Sequence, residues 1–214
     1  VSIDEQIGRE HVVKEAKGRA GVIAGTGNNN TRASIELTKE AERLGVDGIM
    51  LVAPYYNRPN QEGLYEHFKA IAEATSLPVM IYNIPSRSSV NIEYETIVKL
   101  SEIDNIVSVK EASGDLEQIS KIIEHTRDDF ELYSGDDSMT LPVLAIGGRG
   151  VVSVASHVIG NEMQQMINDF KNALWEDEER AQVFEVQESS YDEPIKVGFD
   201  IKADLKTQLE ELKV

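Results

Sequence analysis

Short, almost uninterrupted apolar runs alternate along this chain with stretches in which apolar residues recur every third or fourth position. The runs GVIAGTG, GIMLVAPYY, VMIYN, IVSVK, ELYSG and GVVSVAS read as buried strands, closed by Gly, Pro, Asn or Asp. Between them the helical period returns. Ala33, Leu37, Ala41 and Leu44 form one stripe, with Asn28, Asn29, Asn30 and Thr31 as cap candidates and Gly45 as its stop. Leu64, Phe68 and Ile71 form a second, and a helix is expected around Tyr94 to Leu100. Ile119, Ile122 and Ile123 form a third stripe after Asp115, and Asp137 is placed to cap the helix that Gly147-Gly148 ends. Met163, Met166, Ile167, Phe170 and Leu174 give a last stripe, read as core packing. At the N-terminus, Glu10 to Lys17 reads as the end of an amphipathic helix stopped by Gly18.

Six strands, each followed by a helix, specify a parallel sheet covered on both faces, either an open doubly wound sheet or a closed barrel. Periodicity does not choose between them. From Trp175 onward the pattern weakens: EDEERAQVFEVQESSYDEP is acidic and mixed, and KADLKTQLEELKV is read as one short, largely solvated helix. No internal repeat exists beyond the βα alternation. Residues 1–160 are expected to form the strand-bearing domain and 161–214 a last helix with a shortened helical region.

Composition narrows the function classes. With 41% hydrophobic residues in 214, one substantial core is affordable. A net charge of −17 disfavours nucleic acid and anionic lipid as partners. The absence of cysteine excludes disulfides and thiolate metal sites and fits a reducing cytoplasm. No run reaches membrane-spanning length, and VSIDEQIGREHVVKEAKGRA has no signal-peptide core. His11, His67, His125 and His157 lack metal-ligand spacing with one another, so no metal site is expected. The AGTG glycines do not complete a dinucleotide fingerprint, and GGRG precedes its strand.

Chemistry gathers at strand ends. Tyr55 and Tyr56 follow one strand, Tyr82 and Asn83 end the next, Arg87 comes soon after, Lys110 ends IVSVK, and Gly135-Asp136-Asp137 follows ELYSG. In a barrel of parallel strands these positions converge on one mouth. By alternation Ile106, Ser108 and Lys110 share one face and Val107 and Val109 the other. A lysine on an apolar face loses its proton more easily, and the neutral amine is the nucleophile for a Schiff base with a carbonyl. Each residue also has a plainer reading. A strand-end lysine reaches solvent, a tyrosine packs, Arg87 forms a surface ion pair, and Asp136 and Asp137 are caps.

In order, AGTGNNNT, APYYNRPNQEGLYEHFKAIAE, YNIPSR, VKEASGD, YSGDD and GGRGVVSVASHV resemble the dihydrodipicolinate synthase family of class I aldolases, over about Gly21 to Phe170. The resemblance implies a (β/α)8 TIM barrel, of which about six βα units are visible, and a homo-oligomer, dimer or tetramer. It implies condensation of pyruvate with aspartate semialdehyde in lysine biosynthesis, without a cofactor. Position by position it implies Lys110 as the Schiff-base lysine and Tyr82 as the proton-relay tyrosine. Tyr56 matches a relay tyrosine given by a neighbouring subunit, Arg87 the arginine receiving the second substrate's carboxylate, and Gly135 and Val152 pocket-lining positions.

The chain departs from the family in lacking its Gly-Thr-Thr-Gly-Glu motif, whose threonines bind the pyruvate carboxylate. About twenty residues precede Gly21, against roughly 60 for two βα units. Family-like fragments abut near Asp4/Glu5, Gly8/Arg9 and within Arg180 to Ile195, where Glu193-Pro194-Ile195-Lys196-Val197 resembles a shortened family segment. The expectation is that the physical protein contains further residues, chiefly two strands. Asn29 and Tyr55 match a lysine-regulatory pocket, but Ala33 stands where lysine-sensitive members place an acid. A non-catalytic barrel scaffold and a related 2-oxo acid aldolase are the alternative functions.

Overall fold

The computed structural model describes residues 3–16 and 18–176, with side chains for 8–16 and 18–172. The acidic stretch 177–194, the Arg180 to Ile195 junction, the Glu193 to Val197 segment, the closing helix 202–214 and the Leu174 side chain lie outside the described residues. The chain divides into two compact units, Val1–Gly160 and Asn161–Val214.

The first unit begins with α1 (Ile3–Ala16), β1 (Ile23–Gly25), α2 (Thr31–Arg43), β2 (Gly48–Val52), α3 (Gln61–Ala72) and β3 (Val79–Asn83). It continues with α4 (Pro85–Ser88), α5 (Tyr94–Ser101), β4 (Ile106–Glu111), α6 (Leu116–His125) and β5 (Glu131–Ser134). A 3-10 turn at Asp137–Met139, α7 (Thr140–Ala145) and β6 (Gly150–Val151) complete the sheet. α8 (Ser156–Glu176) then starts, with non-helical dihedrals at Ile159. In the second unit, Met163 is buried and Met166, Ile167 and Phe170 are half-buried.

All pairings are parallel, and the six strands stand in the order β1-β2-β3-β4-β5-β6. Each crossover lands on the next strand and the order never reverses. That is barrel topology, since a doubly wound sheet reverses at a switch point. The fold is that of a (β/α)8 barrel with six consecutive strands among the described residues.

Paired residues in parallel strands point to the same side, so the register sorts the sheet into two faces. One face carries Ala24, Ile49, Val79 and Ile106 in one row and Leu51, Ile81, Val109 and Leu132 in the next, all buried. Leu64, Phe68 and Ile71 of α3, Ile97 and Leu100 of α5 and Ile119 and Ile122 of α6 join this core. The helices start where capping side chains allow. Asn30 accepts from Ala33 N–H, Asn60 from Gly63 N–H, and Asp115 from Glu117 and Gln118 N–H.

Several expectations change. The buried face of α2 is Ser34, Thr38 and Ala41, so of the expected stripe only Ala41 is buried, because the Thr38 hydroxyl pairs with Thr26 and Ser34 bonds Asn28. Satisfied hydroxyls bury at little cost. α1 is not amphipathic: Val12 is exposed and Val13 only half-buried. Among the described residues β1 stands at the edge of the sheet, with Ile23 55% exposed rather than buried. β2 ends at Val52, since Ala53 N–H gives the last ladder bond, to Tyr82 O, and Pro54 has no N–H to give. β6 stops at Val151, where the Ser153 hydroxyl accepts from Ser156 N–H and turns the chain into α8. Asp136, not Asp137, caps the turn after β5. The short α4, started by Pro85, was not expected from periodicity.

Candidate active site

The second face of the sheet is different. Its last paired row runs Val52, Tyr82, Lys110, Tyr133 and Gly150 across five strands. Lys110 reaches this row because of a β-bulge. Val79 pairs with Ile106 but Met80 pairs with Ser108, so Val107 is an extra residue in β4. The bulge corrects the simple alternation: Ile106 lies with Val79 on the helix-covered face, and only Ser108 and Lys110 share the other.

Lys110 is 8% exposed, and its Nζ lies 4.0 Å from the centroid of the Tyr82 ring. Gly135 makes room for it. A Cβ there would meet Ala112 Cβ at 2.8 Å and Lys110 Cε at 3.0 Å. Desolvation holds the Lys110 ammonium below its ordinary pKa, opposed by the nearby charge of Asp137. The amine is therefore more readily neutral and aimed at an aromatic wall, the condition for attack on a carbonyl.

Two tyrosines flank it. Tyr133 donates to Glu131 Oε2 at 2.5 Å, and burial together with that bond pushes its pKa up to about 12. Its proton is pinned. The Tyr82 hydroxyl makes no hydrogen bond among the described residues; burial raises its pKa, and the positive charge of Arg87 opposes the rise. Tyr82 is thus the flanking phenol available for proton transfer. Arg87 stands exposed on α4, directly after β3, where Pro85 at the helix start turns the chain back.

Of the six residues singled out from the sequence, Lys110, Tyr82 and Gly135 are in one cluster, and Arg87 reaches it through its charge. Val152 is half-buried beside it, its N–H donating to Ser134 O at 2.9 Å. Tyr56 stands apart: it is 90% exposed, on a left-handed backbone at φ 76. Sequence reading missed Tyr133 with Glu131, and it named Asp137 at a strand end with a cap as the plainer reading. The Asp137 carboxylate instead accepts from Ala155 N–H at 3.1 Å, and its pKa is lowered first by a Ser153 hydrogen bond. The strand-row position of Tyr133 was the available signal. The AGTG loop has a structural use, since a Cβ on Gly27 would lie 2.4 Å from Val52 N. Among the described residues no group of three His, Cys, Asp or Glu side chains is placed to hold a metal ion, and no helix is long and apolar enough to cross a membrane.

The model of the Dihydrodipicolinate synthetase family matches residues 1–206. A 4-hydroxy-tetrahydrodipicolinate synthase of Halalkalibacterium halodurans is 66% identical over 171 residues, covering 79% of this chain and 58% of the relative. The crystal structure of a dihydrodipicolinate synthase from Bacillus anthracis is 58% identical with a TM-score of 0.79, covering 82% of this chain and 60% of that one. A structure described as the first monomeric dihydrodipicolinate synthase variant is 37% identical with a TM-score of 0.79, over 81% of this chain and 59% of that one. The chain thus spans less than two thirds of the length of these relatives.

Proposed function

We propose that this chain, which belongs to the dihydrodipicolinate synthetase family, carries the Schiff-base site of a pyruvate-dependent lyase. The full reaction is the condensation of pyruvate with aspartate semialdehyde, the 4-hydroxy-tetrahydrodipicolinate synthase activity of lysine biosynthesis. The observation that carries the reading is Lys110: nearly buried at the mouth end of β4, with its Nζ over the Tyr82 ring and Gly135 leaving space for its stem.

The neutral Lys110 amine attacks the ketone carbon of pyruvate, and the carbinolamine loses water to give an imine. Protonated, the imine draws electrons from the adjacent methyl, which gives up a proton and becomes the carbon nucleophile. Tyr82 moves that proton and the one on the departing oxygen, which suits a phenol with a free hydroxyl. The nucleophilic carbon adds to the aldehyde of the second substrate, and Arg87 grips that substrate's carboxylate from the site entrance through charge-assisted bonds. The amino group of the added second substrate then attacks the imine carbon, closing the ring and displacing the Lys110 amine, which is restored. Gly135 and Val152 line the pyruvate pocket. No cofactor takes part.

Tyr56 enters the reading through a second copy of the chain. Its exposure and left-handed backbone present the ring outward, where a dimer or tetramer would insert it into a neighbouring site. One solved relative is a monomeric variant, so assembly belongs to the proposal and not to the fold. The enzyme is read as cytoplasmic, in keeping with a chain free of cysteine.

Incubation with pyruvate and borohydride, followed by peptide mapping, tests the reading. A stable adduct of reduced pyruvate on Lys110 is expected, blocked by omitting pyruvate. A folded chain left unmodified at Lys110 would refute it and favour a non-catalytic scaffold.

A further inference from the structure

On the helix-covered face, one residue beyond the Tyr82 and Lys110 pair, the last row of β3 and β4 sets Asn83 against Glu111. Both are buried, Asn83 at 0% and Glu111 at 1% exposed. An acid and an amide inside an apolar core are costly unless satisfied, and here both Glu111 oxygens have donors. Asn83 Nδ2 donates to both Glu111 oxygens, at 3.2 and 3.0 Å, Ser113 N–H donates to Oε1 at 2.6 Å, and Gln118 Nε2 of α6 donates to Oε2 at 3.2 Å. Asn83 Oδ1 in turn accepts from Ile92 N–H at 3.0 Å.

The position of this cluster gives it a use. The Val107 bulge breaks the even ladder between β3 and β4, and a bulge leaves pairing beyond it less constrained. Without the extra residue, Tyr82 would face Val109 and Asn83 would face Lys110, so the catalytic pair would separate onto opposite faces. Cross-strand side-chain pairs are what hold register. The Asn83 and Glu111 contact is the side-chain pair immediately past Tyr82 and Lys110, and it closes only in the bulged register.

We propose that Glu111 and Asn83 are positioning residues, a buried polar clamp that locks the bulged β3-β4 register and so holds the Lys110 amine against Tyr82. What the amine does there rests on the proposed function; where it is held rests on the geometry. Glu111 touches no reacting atom, because it projects from the opposite face. A carboxylate is required at this position, since its three neighbours all donate. In Glu111→Gln, whichever way the amide turns, one N–H group faces another donor. Adding Gln118→Glu returns an acceptor to the cluster and gives the introduced amide a partner.

Two readouts on the full chain decide the matter. The first is the acylation rate of Lys110 by an amine reagent, with exposed Lys39 as internal reference; the second is the rate of borohydride trapping at saturating pyruvate. In Glu111→Gln, Lys110 is expected to label at the rate of Lys39, while trapping slows by about a hundredfold, the effect of misplacing a reacting group by an ångström. The double variant Glu111→Gln, Gln118→Glu is expected to restore both rates. A purely structural role would lower the melting temperature and leave both rates unchanged in the folded protein, and that result overturns the proposal. So does a double variant that leaves Lys110 labelling fast. Should Glu111→Gln not fold, Gln118→Leu removes one donor at the half-buried end of the clamp; faster Lys110 labelling supports the proposal and unchanged labelling overturns it. Absence of any adduct in the unmodified chain refutes the proposed function, while the labelling rates still decide the clamp.

Discussion

The two faces of one sheet do different work in this molecule. On the helix-covered face the first two paired rows are apolar and buried from Ala24 through Leu132, and α3, α5 and α6 pack against them. The opposite face carries Tyr82, Lys110 and Tyr133 in one row, with half-buried phenols, an amine held below its ordinary pKa and an exposed arginine nearby. Because strand side chains alternate, the same few residues of β3 and β4 supply both. Burial on one side stabilises the strands, so groups that are expensive to desolvate can be kept on the other. The third row of the covered face, Asn83 and Glu111, is the exception, and it lies directly behind the chemistry.

The contrast can be broken from the covered side first. Phe68→Ala removes a fully buried ring from α3 and is expected to cost about 3–5 kcal/mol of unfolding free energy in urea titration. Borohydride trapping per folded molecule should stay unchanged; a loss of trapping would mean that the faces are not separable. A smaller effect comes from His67, buried in the same helix, whose pKa is lowered to about 4 by desolvation. The folded state resists a proton that the unfolded state accepts near pH 6.5. Stability is therefore full above that pH and falls as pH drops toward 4, by at most about 3 kcal/mol. His67→Gln should flatten this slope in denaturation curves taken across the window. A slope unchanged by the substitution would assign the acid sensitivity to other groups.

The smallest effect sharpens the site side. Asp137 raises the Lys110 pKa against desolvation, so Asp137→Asn should let the amine lose its proton more easily. The rising limb of the trapping rate then moves to lower pH. Movement toward higher pH would show that Asp137 matters through its bond to Ala155 instead.

Much of the covered face was legible in the sequence because periodicity and caps report burial and helix starts directly. Asn30 caps where expected, and VMIYN is β3 residue for residue. The face of α2 was misplaced because buried Ser34 and Thr38 look like surface residues until their hydroxyl partners are known. Lys110 was legible as the polar end of an apolar run, and Arg87 and Gly135 by their places after strand ends, while their roles came from the family resemblance. The Val107 bulge was not legible, since no residue type marks it, and with it went the true partners of Ile106 and the meaning of Glu111. Polar residues inside a core declare themselves only through partners distant in sequence.

On the proposed function, Lys110 serves chemistry at the expense of stability. Lys110→Met keeps an unbranched stem over Gly135 and removes the desolvated ammonium. The most direct measurement is the unfolding free energy of Lys110→Met beside that of the unsubstituted chain, with pyruvate trapping followed in parallel. Trapping is expected to vanish and stability to stay equal or rise. A stability loss comparable to that of Phe68→Ala would contradict it, making Lys110 a core residue of the fold.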